Sequence, residues 1–316
     1  MVITRSPCRI SFFGGSSDYE DFYKNYGSFI ISTTVDKYNY ISARFRPKII
    51  SREYAISSQV IKDINDLANP LIRETIKKYN TSHRALDINL FSDIPSRTGL
   101  GGSSSCCCAL IAALNNLNKQ SFTKKQISQG AIHVERVLLN ESGGIQDQIA
   151  ASYGGFNTIE IFKNGDFNVK PLPITQEFKD YFLSCISLVY VKSERKGTIV
   201  ADSHKNKDKT SILKYAQEAY EFFCKEDLAS ITSLIKHSWL EKKNISSQVS
   251  TQETDSLEKE LYSLGAKAVK LLGAGGSGFL LSVSDPSTNN NIKKIFKNRV
   301  LDFKFDTEGT TCIFTN

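Results

Sequence analysis

One run of residues constrains this chain more than any other. Pro95-Ser96-Arg97-Thr98-Gly99-Leu100-Gly101-Gly102-Ser103-Ser104-Ser105 passes without a break into Cys106-Cys107-Cys108-Ala109-Leu110-Ile111-Ala112-Ala113-Leu114. Turn formers and hydroxyls give way to small and apolar residues, which predicts a glycine turn feeding a buried helix. Glycines let the backbone come close to an anion. The free N–H groups and the positive end of the helix dipole then face it. The serine hydroxyls add donors and a magnesium ligand. A serine-capped helix start would account for one of the serines. Three glycines and three serines between Gly99 and Ser105 exceed that need, so the run reads as a phosphate cradle. It is not G-x-x-x-x-G-K-[ST], because no lysine lies between Gly99 and Leu110.

A second glycine run, Leu271-Leu272-Gly273-Ala274-Gly275-Gly276-Ser277-Gly278, holds a formal G-x-G-x-x-G. A dinucleotide site needs a helix directly after it. Phe279-Leu280-Leu281-Ser282-Val283 follows instead and reads as a strand, so the segment is β-glycine-β. Near the N-terminus, a strand carrying Arg9 and ending in Ile10, Phe12 and Phe13 leads to Gly14-Gly15-Ser16-Ser17-Asp18. An Asp in a turn is common on surfaces; a carboxylate on a glycine turn is also an acceptor for sugar hydroxyls. Glu135 precedes Asp147 by twelve positions. Glu135 falls on a helix capped by Thr123 and running to about Leu139, beside His133, which reads as a packing residue. Asp147 falls in the small-residue turn Gly143-Gly144-Ile145-Gln146-Asp147-Gln148. Phosphoryl transfer asks for one carboxylate on the metal and another to accept the proton of the attacking hydroxyl. Taken alone, Glu135 also fits a solvated helix face.

A length of 316 residues suits two domains. Forty per cent hydrophobic and 23% charged residues fit a globular chain, and no apolar run reaches the roughly 18 residues of a membrane span. The net charge of +7 is spread rather than gathered, which argues against nucleic-acid binding and suits small anionic substrates. Seven cysteines, an odd number with no C-x-x-C, point to a reducing compartment and hence to the cytoplasm. No histidine pairs with a cysteine at zinc-ligand spacing.

Strands are expected at 1–13, at Phe29-Ile30-Ile31 and Tyr38-Asn39-Tyr40-Ile41 as a pair, at Ile49 to Tyr54 and at Asp87 to Phe91. A helix is expected over 65–79, and a hairpin turning at Asn164-Gly165. Pro171-Leu172-Pro173 marks a linker. Beyond it lie a strand over 184–191, helices near 210–224, 227–243 and 253–264, and strands near 268–272, 277–284, 299–305 and 311–314. This order suggests an α+β sandwich.

The loop around Gly99 resembles the second motif of the GHMP kinases, roughly P-x-x-x-G-L-x-S-S-A, through Pro95, Gly99, Leu100, Ser103 and Ser104. Gly102 and Ser105 replace the family's usual serine and alanine with residues that are also small. Arg9, Gly14, Ser17 and Asp18 match the sugar-kinase pattern R-x-x-x-x-G-x-x-T-D, and G-x-x-D-Q at Gly144 to Gln148 resembles the catalytic-aspartate segment. The second glycine run resembles the third motif, which packs against the phosphate loop. The resemblance spans residues 5 to 280. It implies an α+β fold of two domains, 1–178 like ribosomal protein S5 domain 2 and 179–316 ferredoxin-like. It further implies ATP with Mg²⁺ as cofactors. Gly99, Leu100, Gly101, Gly102, Ser103 and Ser104 would bind phosphates, and Ser103 and Glu135 would hold the metal. Asp147 would take the hydroxyl proton, with Arg9 supplying positive charge beside it. Gly14, Gly15, Ser16, Ser17 and Asp18 would hold a sugar. Galactokinases carry Glu-His where this chain has Gly15-Ser16, and Arg5 through Gly15 most resembles the D-glycero-D-manno-heptose 7-phosphate kinase branch. The substrate is then a small sugar phosphate, its anomeric hydroxyl the acceptor, its phosphate met by Arg195 in Lys192 to Thr198. The implied role lies in making nucleotide-activated heptose for surface polysaccharide, with a homodimer compatible. A kinase of another sugar, fucokinase- or galactokinase-like, and a non-catalytic sugar sensor on the same fold are the alternatives.

Overall fold

The computed structural model describes residues 1–47, 53–95, 98–192, 208–245 and 249–316. Stretches rich in β-branched and aromatic residues near the N-terminus become two antiparallel strands, β1 (Val2–Phe13) and β2 (Ser28–Phe45), at the middle of a nine-stranded sheet. β2 was expected as two strands with a turn at 33–37. It is a single strand of 18 residues, because that stretch holds no glycine or proline to reverse the chain. Instead it bulges: Tyr38 pairs with Pro7 and Val35 with Cys8, which leaves Asp36 and Lys37 as extra residues. The bulge bends β2. Its first half pairs with β6 (Phe156–Ile161) and its second with β5 (Leu86–Ser92). β6 and β7 (Phe167–Pro171) form the hairpin expected around Asn164-Gly165. Short β3 (Tyr54–Ile56) and β4 (Gln59–Ile61) extend the far edge; the rest of the strand expected from Ile49 falls mostly outside the described residues.

Helix α3 (Gly102–Leu117), the predicted central helix, is buried nearly all round, which small Cys and Ala side chains permit. Thr4 Oγ1 donates to the Ala109 carbonyl and ties it to β1. α2 (Pro70–Tyr79) and α4 (Lys124–Ile132) flank it. α4 opens on a capping box between Thr123 and Gln126 and continues as a π-helical segment, His133–Leu138. α5 (Gln146–Tyr153) carries Asp147 in its first turn. α1 (Glu20–Tyr26) has no counterpart among the expected elements.

The second sheet has the order β11-β8-β10-β9, from β8 (Ile186–Val191), β9 (Ala268–Leu271), β10 (Gly278–Val283) and β11 (Val300–Leu301). Three helices expected around it are α7 (Thr210–Cys224), α8 (Leu228–Ile245) and α9 (Gln252–Ser263). Two unexpected ones are α6 (Gln176–Cys185) and α10 (Pro286–Ile295). Phe12 and Phe156 of the first sheet meet Phe182 and Phe223 of the second half in one aromatic cluster, with Phe12–Phe182 centroids 5.3 Å apart. The strand expected over 299–305 is interrupted. After β11, β12 (Phe305–Asp306) pairs with β2, and β13 (Thr311–Thr315) pairs with β1. Residues 179–316 therefore do not all belong to the second sheet. The buried carboxylate of Asp306 explains the return: it accepts from Tyr38 Oη, Thr34 Oγ1 and the Gly309 N–H, all of the first sheet's neighbourhood. β13 covers β1 only from Val2 to Arg5, so the outer edge of residues 6–13 has no strand partner among the described residues. No helix among the described residues is long and apolar enough to cross a membrane.

Candidate active site

The edge of β1 left without a strand partner is where the glycine loop docks. The Arg9 N–H donates to the Leu100 carbonyl at 2.9 Å, and Arg9 Nη1 donates to the Gly99 carbonyl at 2.6 Å. The other side of the guanidinium grips Asp147: Nε to Oδ1 at 2.8 Å and Nη2 to Oδ2 at 2.9 Å. This is the two-pronged geometry in which Arg–carboxylate pairs are strongest. Arg9 and Asp147, distant in sequence, are thus joined directly beside the loop. Gly101, in the left-handed region at φ 71°, caps α3. A Cβ there would lie 3.2 Å from Arg9 and 3.3 Å from Asp147, so the α3 N-terminus and the ion pair share one wall.

The second glycine run holds the loop from behind. The Gly273 position admits no side chain, since a Cβ would sit 2.5 Å from the Gly99 Cα. The Phe279 N–H donates to the Thr98 carbonyl at 3.1 Å. A Cβ on Gly102 would meet nothing within 4 Å, so the space above the helix start is open. Ser103 there is exposed, whereas Leu100 is buried in the core.

Glu135 is buried under this turn. Its Oε2 accepts from Ser104 Oγ at 2.7 Å and from Gln148 Nε2. Burial pushes its carboxyl pKa up, and the nearby Arg136 pulls it down. The structure therefore joins Glu135 to Ser104 and not to Ser103, the serine expected as its metal partner. The reason is helical direction: Ser104 turns inward and Ser103 outward.

A cavity of about 230 Å³ opens beside Arg9 and Asp147. Asp18 lines it, 1% exposed, accepting from the Ser16 N–H at 3.0 Å, the Gln146 N–H at 3.0 Å and Gln146 Nε2 at 3.1 Å. Burial raises its pKa, with the Gln146 N–H opposing. Gly15 and Ser16 also line the cavity. Gly14 and Ser17, expected to hold substrate, are not among the residues that line the cavity. Gly14 packs on the Phe29 backbone, and the Ser17 hydroxyl is engaged by the Gly14 carbonyl and Ser28. Both shape the turn. Arg195 lies outside the described residues.

Three cations were missed in the sequence: Arg136, Lys242 and Lys270 all line the cavity. Lys270 could have been noticed, being a lone charge in the buried strand Ala268–Leu271. Lys242, beside Lys243 on an amphipathic helix, carried no signal. Lys270 Nζ donates to the Phe12 carbonyl and Lys242 Nζ to the Gly273 carbonyl. Burial lowers their pKa values to about 7 and about 8 respectively.

Residues 66–155, which include the loop, Glu135 and Asp147, match the family model of the GHMP kinases N terminal domain. The chain is 27% identical to a D-glycero-alpha-D-manno-heptose 7-phosphate kinase of Campylobacter jejuni, over 98% of this chain and 97% of that protein. A D-glycero-D-manno-heptose 1-phosphate kinase structure from Bacteroides thetaiotaomicron superposes with a TM-score of 0.82 at 23% identity, covering 100% of both chains. The Streptococcus pneumoniae phosphomevalonate kinase, solved with phosphomevalonate and AMPPNP, gives 0.77 at 15% identity over 96% of this chain and 100% of its own. With the loop at the helix start, the buried Glu135 and the Arg9–Asp147 pair, the chain carries a GHMP kinase N-terminal domain match over 66–155 and is similar along its length to GHMP kinases, phosphotransferases with an alcohol group as acceptor.

Proposed function

We propose that this chain transfers the γ-phosphoryl group of ATP to the anomeric hydroxyl of D-glycero-D-manno-heptose 7-phosphate, giving the 1,7-bisphosphate. The observation that carries the reading is the joining of Arg9, Asp147 and Gly101 at the α3 N-terminus, with Asp18 in the same cavity. The backbone N–H groups at the start of α3 and the Ser103 hydroxyl hold the nucleotide phosphates. The oxygen donors beneath them fit Mg²⁺: Ser104 Oγ, the Glu135 carboxylate and Gln148 Oε1, a buried atom with no hydrogen-bond partner. These residues would hold Mg²⁺, which would supply neutralisation of the charge on the γ-phosphoryl group. Asp147 accepts the proton of the attacking hydroxyl. Arg9 fixes the direction of that carboxylate and faces the charge growing on the transferring group. Asp18, oriented by Gln146 and Ser16, accepts from sugar hydroxyls.

The similarity to the Campylobacter jejuni heptose 7-phosphate kinase supports the substrate choice. The test is ADP release with a panel of acceptors: the heptose 7-phosphate, the free heptose, fucose, galactose, mevalonate and phosphomevalonate. The heptose 7-phosphate should give the highest kcat/KM, with phosphate added at C1. A higher kcat/KM for any other acceptor would overturn the substrate assignment.

A further inference from the structure

We infer that Lys270, with Lys242 beside it, forms the subsite for the acceptor's own phosphate. This rests on the reading above and assigns the anion-binding end of the same cavity. The lining carries four cations, Arg9, Arg136, Lys242 and Lys270, against two carboxylates, Asp18 and Asp147. Both carboxylates are already engaged, Asp147 by Arg9 and Asp18 by the Ser16 and Gln146 donors. The two lysines are 7% and 8% exposed and each donates to one backbone carbonyl. Among the described residues neither forms an ion pair with a carboxylate. Each ammonium therefore has N–H donors left over inside the cavity.

Buried cations without a counter-charge are costly. Both amines respond to burial and to Arg9, and Lys270 also to Lys242, by binding their protons less tightly, while Asp18 opposes the shift of Lys242. A dianion entering the cavity relieves that cost. Position decides which dianion. β1 runs from Arg9, at the glycine loop, towards the turn that carries Asp18. The Phe12 carbonyl that fixes Lys270 lies three residues past Arg9, about 10 Å on at 3.3 Å per residue. The ammonium of Lys270 is thus anchored towards the Asp18 end of the cavity, where a bound sugar points away from the transfer point. Lys242, anchored on Gly273 behind the loop, stands between the two ends.

The experiment uses the full chain and two pairs of acceptors that differ by a phosphate: the heptose and its 7-phosphate, and mevalonate and phosphomevalonate. KM for each acceptor and for ATP is measured in the parent, Lys270→Met and Lys242→Met, with thermal unfolding as the check on folding. In Lys270→Met, KM for the phosphorylated acceptor should rise about 10- to 150-fold, as expected for losing one charge-assisted contact. KM for ATP should not move. A rise in KM for ATP alone would assign the lysines to the nucleotide and overturn the inference. So would a parent enzyme that uses both members of a pair equally well. A preference for phosphomevalonate that is lost in Lys270→Met would sink the heptose reading and leave the subsite standing. Should Lys270→Met not fold, thermal stabilisation of the parent by inorganic phosphate decides, measured with AMPPNP saturating the nucleotide end; no stabilisation overturns the inference.

Discussion

Replacing Asp147 by Asn keeps the shape of the side chain and removes its charge and one acceptor oxygen. In the protein both oxygens are engaged, at 2.8 and 2.9 Å, by Nε and Nη2 of Arg9. The carboxamide can keep one of those bonds; its NH₂ must then face a guanidinium N–H, donor against donor. Arg9 retains its bonds to the Gly99 carbonyl and through its N–H to Leu100, so the loop stays docked. The Asp147 side chain is 25% exposed but that of Arg9 only 5%, so losing one charge-assisted bond puts the folding cost at about 1.5–3 kcal/mol. Removing a general base costs about 10²- to 10⁴-fold in turnover, or roughly 3–5 kcal/mol of barrier. The two effects therefore separate. A coupled ADP-release assay should show kcat down by at least two orders of magnitude with KM for ATP nearly unchanged, and a melting curve should show a downward shift. A kcat within a few-fold of the parent would mean that Asp147 neither accepts nor orients the proton.

Three further outcomes are expected. Glu135→Gln should raise the Mg²⁺ concentration needed for half-maximal activity at fixed ATP; an unchanged Mg²⁺ titration would return Glu135 to a purely structural part beneath Ser104 and Gln148. Gly273→Ala forces a Cβ to within 2.5 Å of the Gly99 backbone at φ 73°, costing about 1–2 kcal/mol for the left-handed conformation plus about 1–3 for the clash. It should lower the melting temperature and raise KM for ATP, whereas Gly102→Ala should melt like the parent. The apparent affinity for the phosphorylated acceptor should fall as pH rises through about 7 to 8, where Lys270 and Lys242 lose their protons in the free protein. The groups facing them, Arg9, Arg136, Tyr19, Asp18 and Asp147, set the exact profile; a pH-independent KM over that range would contradict the expected charge on the lysines.

What the sequence made legible is what depends on neighbours in the chain. The Gly99 to Ser105 cradle, the Thr123 cap and the β-glycine-β segment each carry their physical cause within about ten residues. Asp147 and Arg9 could be singled out one by one, but only folding brings them to 2.8 Å. Lys242 escaped notice because its burial is imposed by the packing of α8 against β9, not by its helical neighbours. Ser103, expected beside Glu135, and Ser104 look alike in the sequence until the helix rotates Ser104 inward. α10 had a readable start, Asp285 capping it and Pro286 in its first turn, and that signal went unused.

The return of β12 and β13 has a consequence for how the protein is made. At synthesis rates of about 5–20 residues per second, the first sheet's other strands leave the ribosome on the order of ten seconds before residues 305–315. Through that interval the outer edge of β1 at Val2 to Arg5 lacks its partner strand, and Tyr38 and Thr34 lack the Asp306 carboxylate. An open strand edge is a template for pairing with other chains. The nascent N-terminal half therefore presents that template until the chain has completed its second sheet and come back to the first.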